Sequence, residues 1–338
     1  MPFLSKDSYS YQKEIRVKAI RISQYGGAEV LSFEDIDVAD PGEGQVRITI
    51  EAAGVNFIDT YHRTGLYPLD LPLTLGLEGA GTVNAVGAGV SALAEGDRVA
   101  WKSVAGSYAE QVVADAAEVV KIPSDVATKT AAAVMLQGLT AHYLVNSTYP
   151  IREGDTCLIH AAAGGVGLLL VQMAKMRGAR VIGTTSTEEK AALARGAGAD
   201  DIILYTERDF EAEVLNLTDS KGVEVVYDSV AKATWEKSIN CLKPRGYMVF
   251  FGNASGPVPP IDPLLLSQQG SIYLTRPTLN SYTQTREEYL QRTREVMSWI
   301  QDGELDVRIG EEHPLENTAE AHNRLEGRQT TGKVLLIP

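Results

Sequence analysis

The chain has 338 residues, 44% of them apolar and 22% charged, and it carries a formal net charge of −13. This length suits two domains, the composition excludes a disordered or fibrous chain, and the acidic balance weighs against nucleic acids and anionic membranes as partners. The two cysteines, Cys157 and Cys241, are too few for a disulfide framework or a cysteine-rich zinc lobe.

The N-terminal residues 1–16 are mostly polar and lack the apolar segment of a secretory signal. The chain also contains no run of about 18 apolar residues, the length that a membrane-spanning helix requires. We therefore expect a cytoplasmic protein with a short N-terminal extension and no contact with a membrane.

Between residues 17 and 122, short apolar segments are separated by Gly, Pro and Asp, a pattern typical of strands and turns. The pattern predicts a twisted, mostly antiparallel β-barrel. Its clearest strands are predicted at 46–50, 80–83, 97–100 and 108–113.

From about residue 128, strands alternate with helices, which predicts a doubly wound parallel sheet. The helix after the first parallel strand has apolar residues at offsets of 3, 4, 7 and 8 from Val166 and ends before Gly178. A helix at 286–300 follows the sheet, and the last strand, 333–337, is expected to return to the first domain. The predicted strands of the parallel sheet are 157–160, 180–183, 201–205, 223–227, 247–251 and 271–274.

The segment 160–167, which reads His-Ala-Ala-Ala-Gly-Gly-Val-Gly, joins the first parallel strand to its helix. Small residues there let a pyrophosphate approach the backbone, and the helix N-terminus supplies free N–H groups and a positive dipole end. The segment therefore predicts a dinucleotide site, although Ala162 replaces the first Gly of the usual fingerprint. The alternative is a tight packing turn that binds no ligand.

The end of the second parallel strand indicates which nicotinamide cofactor binds. An enzyme that uses NAD usually places a carboxylate there to accept from the ribose 2′-OH, but this strand ends Gly-Thr-Thr-Ser at 183–186. Hydroxyl groups together with Lys190, four residues beyond Ser186, suit a 2′-phosphate, which predicts NADPH. The alternative is that Lys190 is a solvated helix residue whose neighbours Glu188 and Glu189 lower the local potential.

Over nearly its whole length the sequence resembles the medium-chain dehydrogenase/reductase superfamily, in segments 75–81 and 96–99 and in the turn at 160–167. Zinc-dependent members carry a histidine and a cysteine ligand where this chain has Leu77 and Asn56, and neither side chain can replace them on Zn²⁺. None of the five histidines lies three or four residues from another. We therefore expect no metal site.

Within this superfamily the sequence is similar to the zinc-free, zeta-crystallin-like quinone oxidoreductases. The resemblance implies a GroES-like, mostly antiparallel β-barrel catalytic domain formed by residues 1–140 and 278–338, and a Rossmann NADPH-binding domain formed by residues 141–277. Two features depart from the family pattern: Gln137 stands where some members carry Lys, and residues 9–16 have no recognised counterpart. The similar segments, which follow one another in the family's order, are 54–61, 65–68, 138–141, 226–230, 251–256 and 275–277.

The resemblance also implies roles for individual residues. Asn56, Tyr61 and Tyr67 are expected to be the catalytic residues at the nicotinamide and substrate end of a cleft, with Asn56 also contacting the cofactor. The other expected cofactor ligands are Thr140, Gly164, Gly165 and Val166 at the phosphates, Ser186, Lys190, Tyr205 and Arg328 at the adenosine 2′-phosphate, and Phe251 and Asn253 along the nicotinamide.

These features predict hydride transfer from NADPH to a quinone without a metal, because a quinone accepts hydride without a strong acid. Tyr61 is then either a proton donor or an aromatic wall, and Asp59 either orients Tyr61 or caps a turn. The same site would suit reduction of the C=C bond of an enone, alkenal or enoyl thioester. A third alternative is a non-catalytic, crystallin-like protein that binds NADPH or RNA, although the acidic charge weighs against RNA. Segment 271–274 has the character of a sheet edge, which predicts a homodimer.

Overall fold

The computed structural model describes residues 15–338, so nearly all of the N-terminal extension lies outside the described residues. The first part of the described chain is antiparallel: all strand pairs before residue 122 have that orientation. Its strands are β1 (Ile15–Ile22), β2 (Ser32–Val38), β3 (Gln45–Val55), β4 (Leu73–Thr74), β5 (Glu78–Val86), β6 (Arg98–Trp101), β7 (Gln111–Asp115) and β8 (Val120–Lys121).

Strand β3 organises this region because it pairs with both β5 and β7. Two register shifts in its pairing with β5 bend the strands, as expected where a sheet curves into a barrel. Side chains of β3 such as Val46, Ile48 and Ile50 pack into a core with Trp101 and Tyr108, which are fully buried. The predicted antiparallel barrel is confirmed.

The second region is a six-stranded parallel sheet with the strand order β11-β10-β9-β12-β13-β14. The side chains of Cys157, Leu158 and Ile159 are all fully buried, as expected for a strand covered on both faces. The strands are β9 (Thr156–Ile159), β10 (Arg180–Thr185), β11 (Asp201–Leu204), β12 (Val223–Asp228), β13 (Leu242–Phe250) and β14 (Tyr273–Thr275).

Helices cover this sheet and connect it to the barrel. The chain moves outward from β9 to β11 and then crosses to β12 on the other side of β9, so a crevice opens at the carboxyl ends of β9 and β12. The helices are α1 (Phe57–Thr64), α2 (Thr128–Tyr143), α3 (Gly165–Met176), α4 (Glu188–Gly196), α5 (Phe210–Leu217), α6 (Trp235–Asn240), α7 (Leu264–Gln268), α8 (Arg286–Gln301) and α9 (Thr318–Glu326).

The turn between β9 and α3 is tight. Ala161 has a positive φ of 53°, and a Cβ on Gly167 would lie 2.2 Å from the carbonyl oxygen of Ala161. Only glycine fits at that position, which explains the small residues of segment 160–167 and fixes where α3 begins.

The C-terminal segment returns to the barrel, as predicted. Strand β16 (Lys333–Ile337) lies antiparallel to β3, and β15 (Ile309–Pro314) pairs with β16 in parallel. Together with β3, β5, β6, β7 and β8 they make a seven-stranded sheet, so the predicted fold class is confirmed. Because α2 runs across residue 140, the domain boundaries at 140 and 277 stay predictions.

The predicted edge strand at 271–274 was placed two residues too early. Ser271 has a φ of 59°, which is incompatible with a strand, and the N–H of Ile272 donates to the carbonyl of Leu266. The strand therefore begins at Tyr273 and ends at Thr275, and it is the outermost strand of the parallel sheet.

Candidate active site

A cleft of about 930 Å³ runs along the carboxyl ends of the parallel strands and faces the barrel. The barrel contributes helix α1 and the segment after β6, and the parallel domain contributes the turn before α3 and the loops after β10 to β13. Every site residue predicted from the sequence lines this cleft except Asn253, which contacts two of the others. These lining residues are Asn56, Tyr61, Tyr67, Thr140, Gly164, Gly165, Val166, Ser186, Lys190, Tyr205, Phe251 and Arg328.

The N-terminus of α3 opens into the middle of the cleft. Its first N–H groups have no partner within the helix, which makes them available to a phosphate. A Cβ on Gly165 would lie 2.0 Å from Oε1 of Gln137, so a larger residue there would have to displace the Gln137 side chain of α2. The N–H of Gly332 donates to the carbonyl of Ala163 at 3.1 Å, so the segment between α9 and β16 supports the turn before α3 from the other side.

The end of the cleft beyond β10 is polar and more basic than acidic. Nζ of Lys190 donates to the carbonyl oxygen of Arg328 at 2.6 Å, which brings together two cations that lie 138 residues apart. Lys190 is therefore held against the segment between α9 and β16 rather than free in solvent. Glu188, which the sequence suggested as a competing charge, forms an ion pair with Arg195. Tyr205, 38% exposed, lies on the same side and offers a flat aromatic face.

The barrel end of the cleft is aromatic. The rings of Tyr61 and Tyr67 meet edge to face with centroids 5.3 Å apart, and Phe57 lies 6.3 Å from Tyr61. The hydroxyl of Tyr61 accepts from the N–H of Asn253 at 2.9 Å, and the hydroxyl of Tyr67 accepts from the side-chain amide of Asn253 at 3.0 Å. Within residues 15–338 both hydroxyls only accept, so each keeps its own proton for a further partner.

Below these tyrosines, a buried ionic network forms the floor of the cleft. Glu78 accepts from Nζ of Lys333, from Nδ2 of Asn56 at 2.8 Å and from the N–H of Leu136 at 2.6 Å. Lys333 also donates to Oδ1 of Asn56 at 2.9 Å, and Gln137 donates to the same oxygen at 3.2 Å. The Asn56 side chain is thus held by four hydrogen bonds, three to side chains and one to the backbone carbonyl of Gly54.

Asp59 is fully buried beside this network, on α1. Its Oδ2 accepts from the backbone N–H of Asn56 and from the hydroxyl of Tyr108, both at 2.8 Å, whereas Oδ1 is buried without a hydrogen-bond partner. Burial raises the pKa of Asp59 from 3.8 to about 7, against the two hydrogen bonds that lower it. Of the two predicted roles, the structure shows the cap: Asp59 closes the first turn of α1, and Tyr61 bonds to Asn253 instead.

Several residues that line the cleft or lie buried beneath it were not predicted. Glu78 and Lys333 were missed because their contact joins distant parts of the chain. Lys102 follows β6 and carries no sequence signal at all. Arg276 belongs to segment 275–277, which the family resemblance identified without giving the arginine a role.

Comparison with known proteins places this site in a family. Residues 42–124 match the model of the alcohol dehydrogenase GroES-like domain, and residues 165–301 match that of the zinc-binding dehydrogenases. The quinone oxidoreductase of Pseudomonas aeruginosa is 48% identical over 323 residues, which cover 95% of this chain and 99% of the relative. The chain belongs to the quinone oxidoreductase family. It is an oxidoreductase of the medium-chain dehydrogenase/reductase superfamily, as the resemblance implied.

Two further members of the wider group are informative. The crystal structure of Escherichia coli quinone oxidoreductase complexed with NADPH superposes with a TM-score of 0.93 at 43% identity, covering 95% of this chain and 100% of that one. A 2-haloacrylate reductase from a Burkholderia species is 41% identical over 330 residues, covering 95% and 99% of the two chains.

The chemistry of the donor set does not suit zinc, although one matching family model is named for it. At the positions of the family's zinc ligands, Leu77 offers no donor atom, and the amide of Asn56 already bonds to the ammonium of Lys333. A cation already occupies the position next to Asn56. Within residues 15–338 no group of three or more His, Cys, Asp or Glu side chains is arranged to hold a metal ion.

The raised pKa of Asp59 predicts a pH-dependent effect of Asp59→Asn on stability. Between pH 3.8 and about 7 the folded protein keeps a proton that the unfolded chain releases, so this group makes the parent less stable as the pH rises. Asparagine imitates the protonated acid at every pH. Relative to the parent, Asp59→Asn should therefore gain about 2 kcal/mol in the free energy of unfolding between about pH 5 and pH 8.

Chemical denaturation of both proteins at the two pH values measures this gain. Asp219→Asn, a change at a side chain that is 86% exposed, is the matched control and should show no such trend. An equal difference between Asp59→Asn and the parent at both pH values would show that Asp59 is ionised in the folded protein.

Proposed function

We propose that the chain reduces quinones with NADPH and without a metal. The observation that carries this proposal is the pair of tyrosine hydroxyls at the barrel end of the cleft, each free to donate to a substrate oxygen. NADPH, when bound, supplies the hydride, and a proton from solvent completes the reduction of the quinone to the hydroquinone. The family membership and the E. coli relative that binds NADPH support the same conclusion.

The chain's own residues would hold the cofactor in three places. Thr140 and the N-terminus of α3 at Gly164, Gly165 and Val166 would bind the pyrophosphate, because free N–H groups and a helix dipole attract anions. Phe251 and Asn253 would lie along the nicotinamide, with Asn56 below it. Lys190 and Arg328 would bind the 2′-phosphate together with Ser186, and Tyr205 would pack nearby.

At the substrate end, the aromatic side chains would stack against a flat ring while Tyr61 and Tyr67 donate to the developing oxyanion. One such bond is typically worth about 2–4 kcal/mol in the transition state. Burial raises the pKa of Tyr61 to about 12, so its hydroxyl keeps its proton at neutral pH. Tyr61 would therefore act as a hydrogen-bond donor and wall, and water would supply the proton.

Reduction of an electron-poor C=C bond is the second candidate function. The 2-haloacrylate reductase from Burkholderia matches this chain over almost its full length, and the same hydride and the same hydroxyl donors would serve both reactions. A non-catalytic protein that binds NADPH or RNA is less consistent with free donors in the cleft and with a net charge of −13. Rates for a panel of quinones and alkenals at one NADPH concentration separate these possibilities.

Three further properties are part of the proposal. The first is a location in the cytoplasm. Among the described residues, no helix has the length and apolar character needed to cross a bilayer. We also keep residues 1–140 and 278–338 as the catalytic domain and 141–277 as the NADPH-binding domain. The third property is a homodimer, in which strand β14 pairs across a two-fold axis.

Substitution of Tyr61 tests the proposed oxyanion donor. Tyr61→Phe removes one hydroxyl and should lower kcat/KM for 1,4-benzoquinone about tenfold to hundredfold, because one transition-state hydrogen bond is lost. The dissociation constant for NADPH should not change. Tyr149→Phe, at a tyrosine that donates to Asp155 instead, is the control. Unchanged kcat/KM in both Tyr61→Phe and Tyr67→Phe would contradict the assignment.

Cofactor selectivity tests the phosphate site. The parent should prefer NADPH over NADH by about tenfold or more in kcat/KM, and Lys190→Ala should narrow that ratio by lowering the value for NADPH alone. Lys221→Ala, at an exposed lysine paired with Asp219, is the control. Equal use of both cofactors by the parent would refute the assignment of the 2′-phosphate site.

The exposed outer strand predicts the oligomeric state. Tyr273 is 54% exposed and Leu274 is 36% exposed on an unpaired sheet edge, so burial against a second copy would satisfy both. Sedimentation at micromolar concentration should show a dimer, and Tyr273→Asp should convert it to a monomer, whereas Met176→Asp should not. A monomeric parent would contradict this proposal.

A further inference from the structure

The cleft contains more positive charge than the proposed cofactor site uses. Two of its cations are neutralised by acids: Arg208 pairs with Glu213, and Lys237 pairs with Asp209. Two more lie at the adenosine end, where the 2′-phosphate is proposed to bind. The remaining pair is Lys102 and Arg276, and in the chain from residue 15 onward neither has a carboxylate within 4.0 Å.

Lys102 is the more unusual of the two because it is only 5% exposed. Its ammonium lies over the ring of Tyr289, 5.1 Å from the centroid, and reaches Oδ1 of Asn280 at 3.5 Å. Burial lowers the pKa of Lys102, and Glu118 opposes this only from beyond ion-pair distance. A buried ammonium with so little compensation is costly, and the same chain gives its other buried lysine, Lys333, a direct partner in Glu78.

Arg276 lies at the tyrosines. Its Nη2 donates to the hydroxyl of Tyr67 at 3.4 Å, and its Nη1 donates to the carbonyl of Pro277 at 3.1 Å. Arg276 is an exposed residue that lines the cleft. The arginine therefore borders the position where the substrate oxygen is proposed to lie, with donors left for a second acceptor.

Lys102 and Arg276 are connected by one segment of the cleft wall. The segment 276–280 lines the cleft between them: Arg276 begins it, and Asn280, which contacts Lys102, ends it. This five-residue segment spans at most about 17 Å, which limits the distance between its two ends. The acidic residues that line the cleft, Glu207 and Asp209, lie at the opposite end near Tyr205. The substrate end is thus positively charged although the whole chain carries a net charge of −13.

We propose that this end of the cleft selects acceptors that carry an anionic group, a carboxylate or a sulfonate, and binds that group with Lys102 and Arg276. The inference rests on the proposed function and narrows its substrate class. A flat conjugated acceptor would present its reacting carbonyl or alkene to the tyrosines and its anion to the two cations. The anion would complete the solvation of a buried charge, so it would be recognised without loss of the apolar contacts to the ring.

The test compares 1,4-naphthoquinone with 1,4-naphthoquinone-2-sulfonate in the parent and in Lys102→Gln, Arg276→Gln and Lys221→Gln. In the two cleft variants kcat/KM for the sulfonate should fall about tenfold or more beyond any change for the neutral quinone, mainly through KM. Lys221→Gln should change neither. The difference in intrinsic reactivity of the two quinones cancels because each variant is compared with the parent on the same substrate.

A measurement on the parent alone guards against variants that fail to fold. Naphthalene-2-sulfonate, which cannot be reduced, should compete with 1,4-naphthoquinone, and its inhibition should weaken as salt rises. Equal losses for both quinones in the variants, or no competition by the sulfonate, would overturn the proposal. Weaker NADPH binding in the variants would also overturn it, since the cations would then serve the cofactor. Absence of any quinone turnover by the parent would instead refute the proposed function.

Discussion

The carboxylate of Glu78 is the contact on which the cleft depends. It joins three parts of the chain: Asn56 after β3, Lys333 at the start of β16, and the backbone of Leu136 in α2, the helix that leads into the parallel domain. Loss of one partner from a buried ion pair typically costs about 3–5 kcal/mol, because the other charge stays buried without compensation. This network therefore fixes the floor of the cleft and presents Asn56 in one orientation.

A second set of buried contacts relates the two ends of the cleft. Arg63 on α1 is 2% exposed. Its Nη1 contacts His322, and its Nη2 donates to both carboxylate oxygens of Glu326, both residues lying on α9. Helix α1 carries Tyr61, and the residues after α9 include Arg328. The same pair of helices thus positions the proposed oxyanion donor and one of the cations proposed for the 2′-phosphate. Both ends of the proposed cofactor site are therefore tied to the contacts between α1 and α9.

Sequence patterns predicted the features that depend on residues close together in the chain. The turn at 160–167 was recognisable because only small residues fit there, and the lack of an acid at 183–186 is visible without a structure. The Glu78–Lys333 pair spans 255 residues, and no spacing rule could have found it. Lys102 could be recognised as unusual only once the structure showed that it is buried without a carboxylate partner among the described residues. The shift of the edge strand to Tyr273 arises from the positive φ of Ser271, which a strand pattern does not reveal.

Lys333 is the cation beside Asn56, so we expect quinone reduction at this site to need no metal ion. Turnover of 1,4-benzoquinone with NADPH, measured together with the metal content of the same sample before and after dialysis against EDTA, checks this expectation. Full activity is expected in protein that holds far less than one metal ion per chain. Activity that disappears with the metal and returns in proportion to added zinc would contradict it.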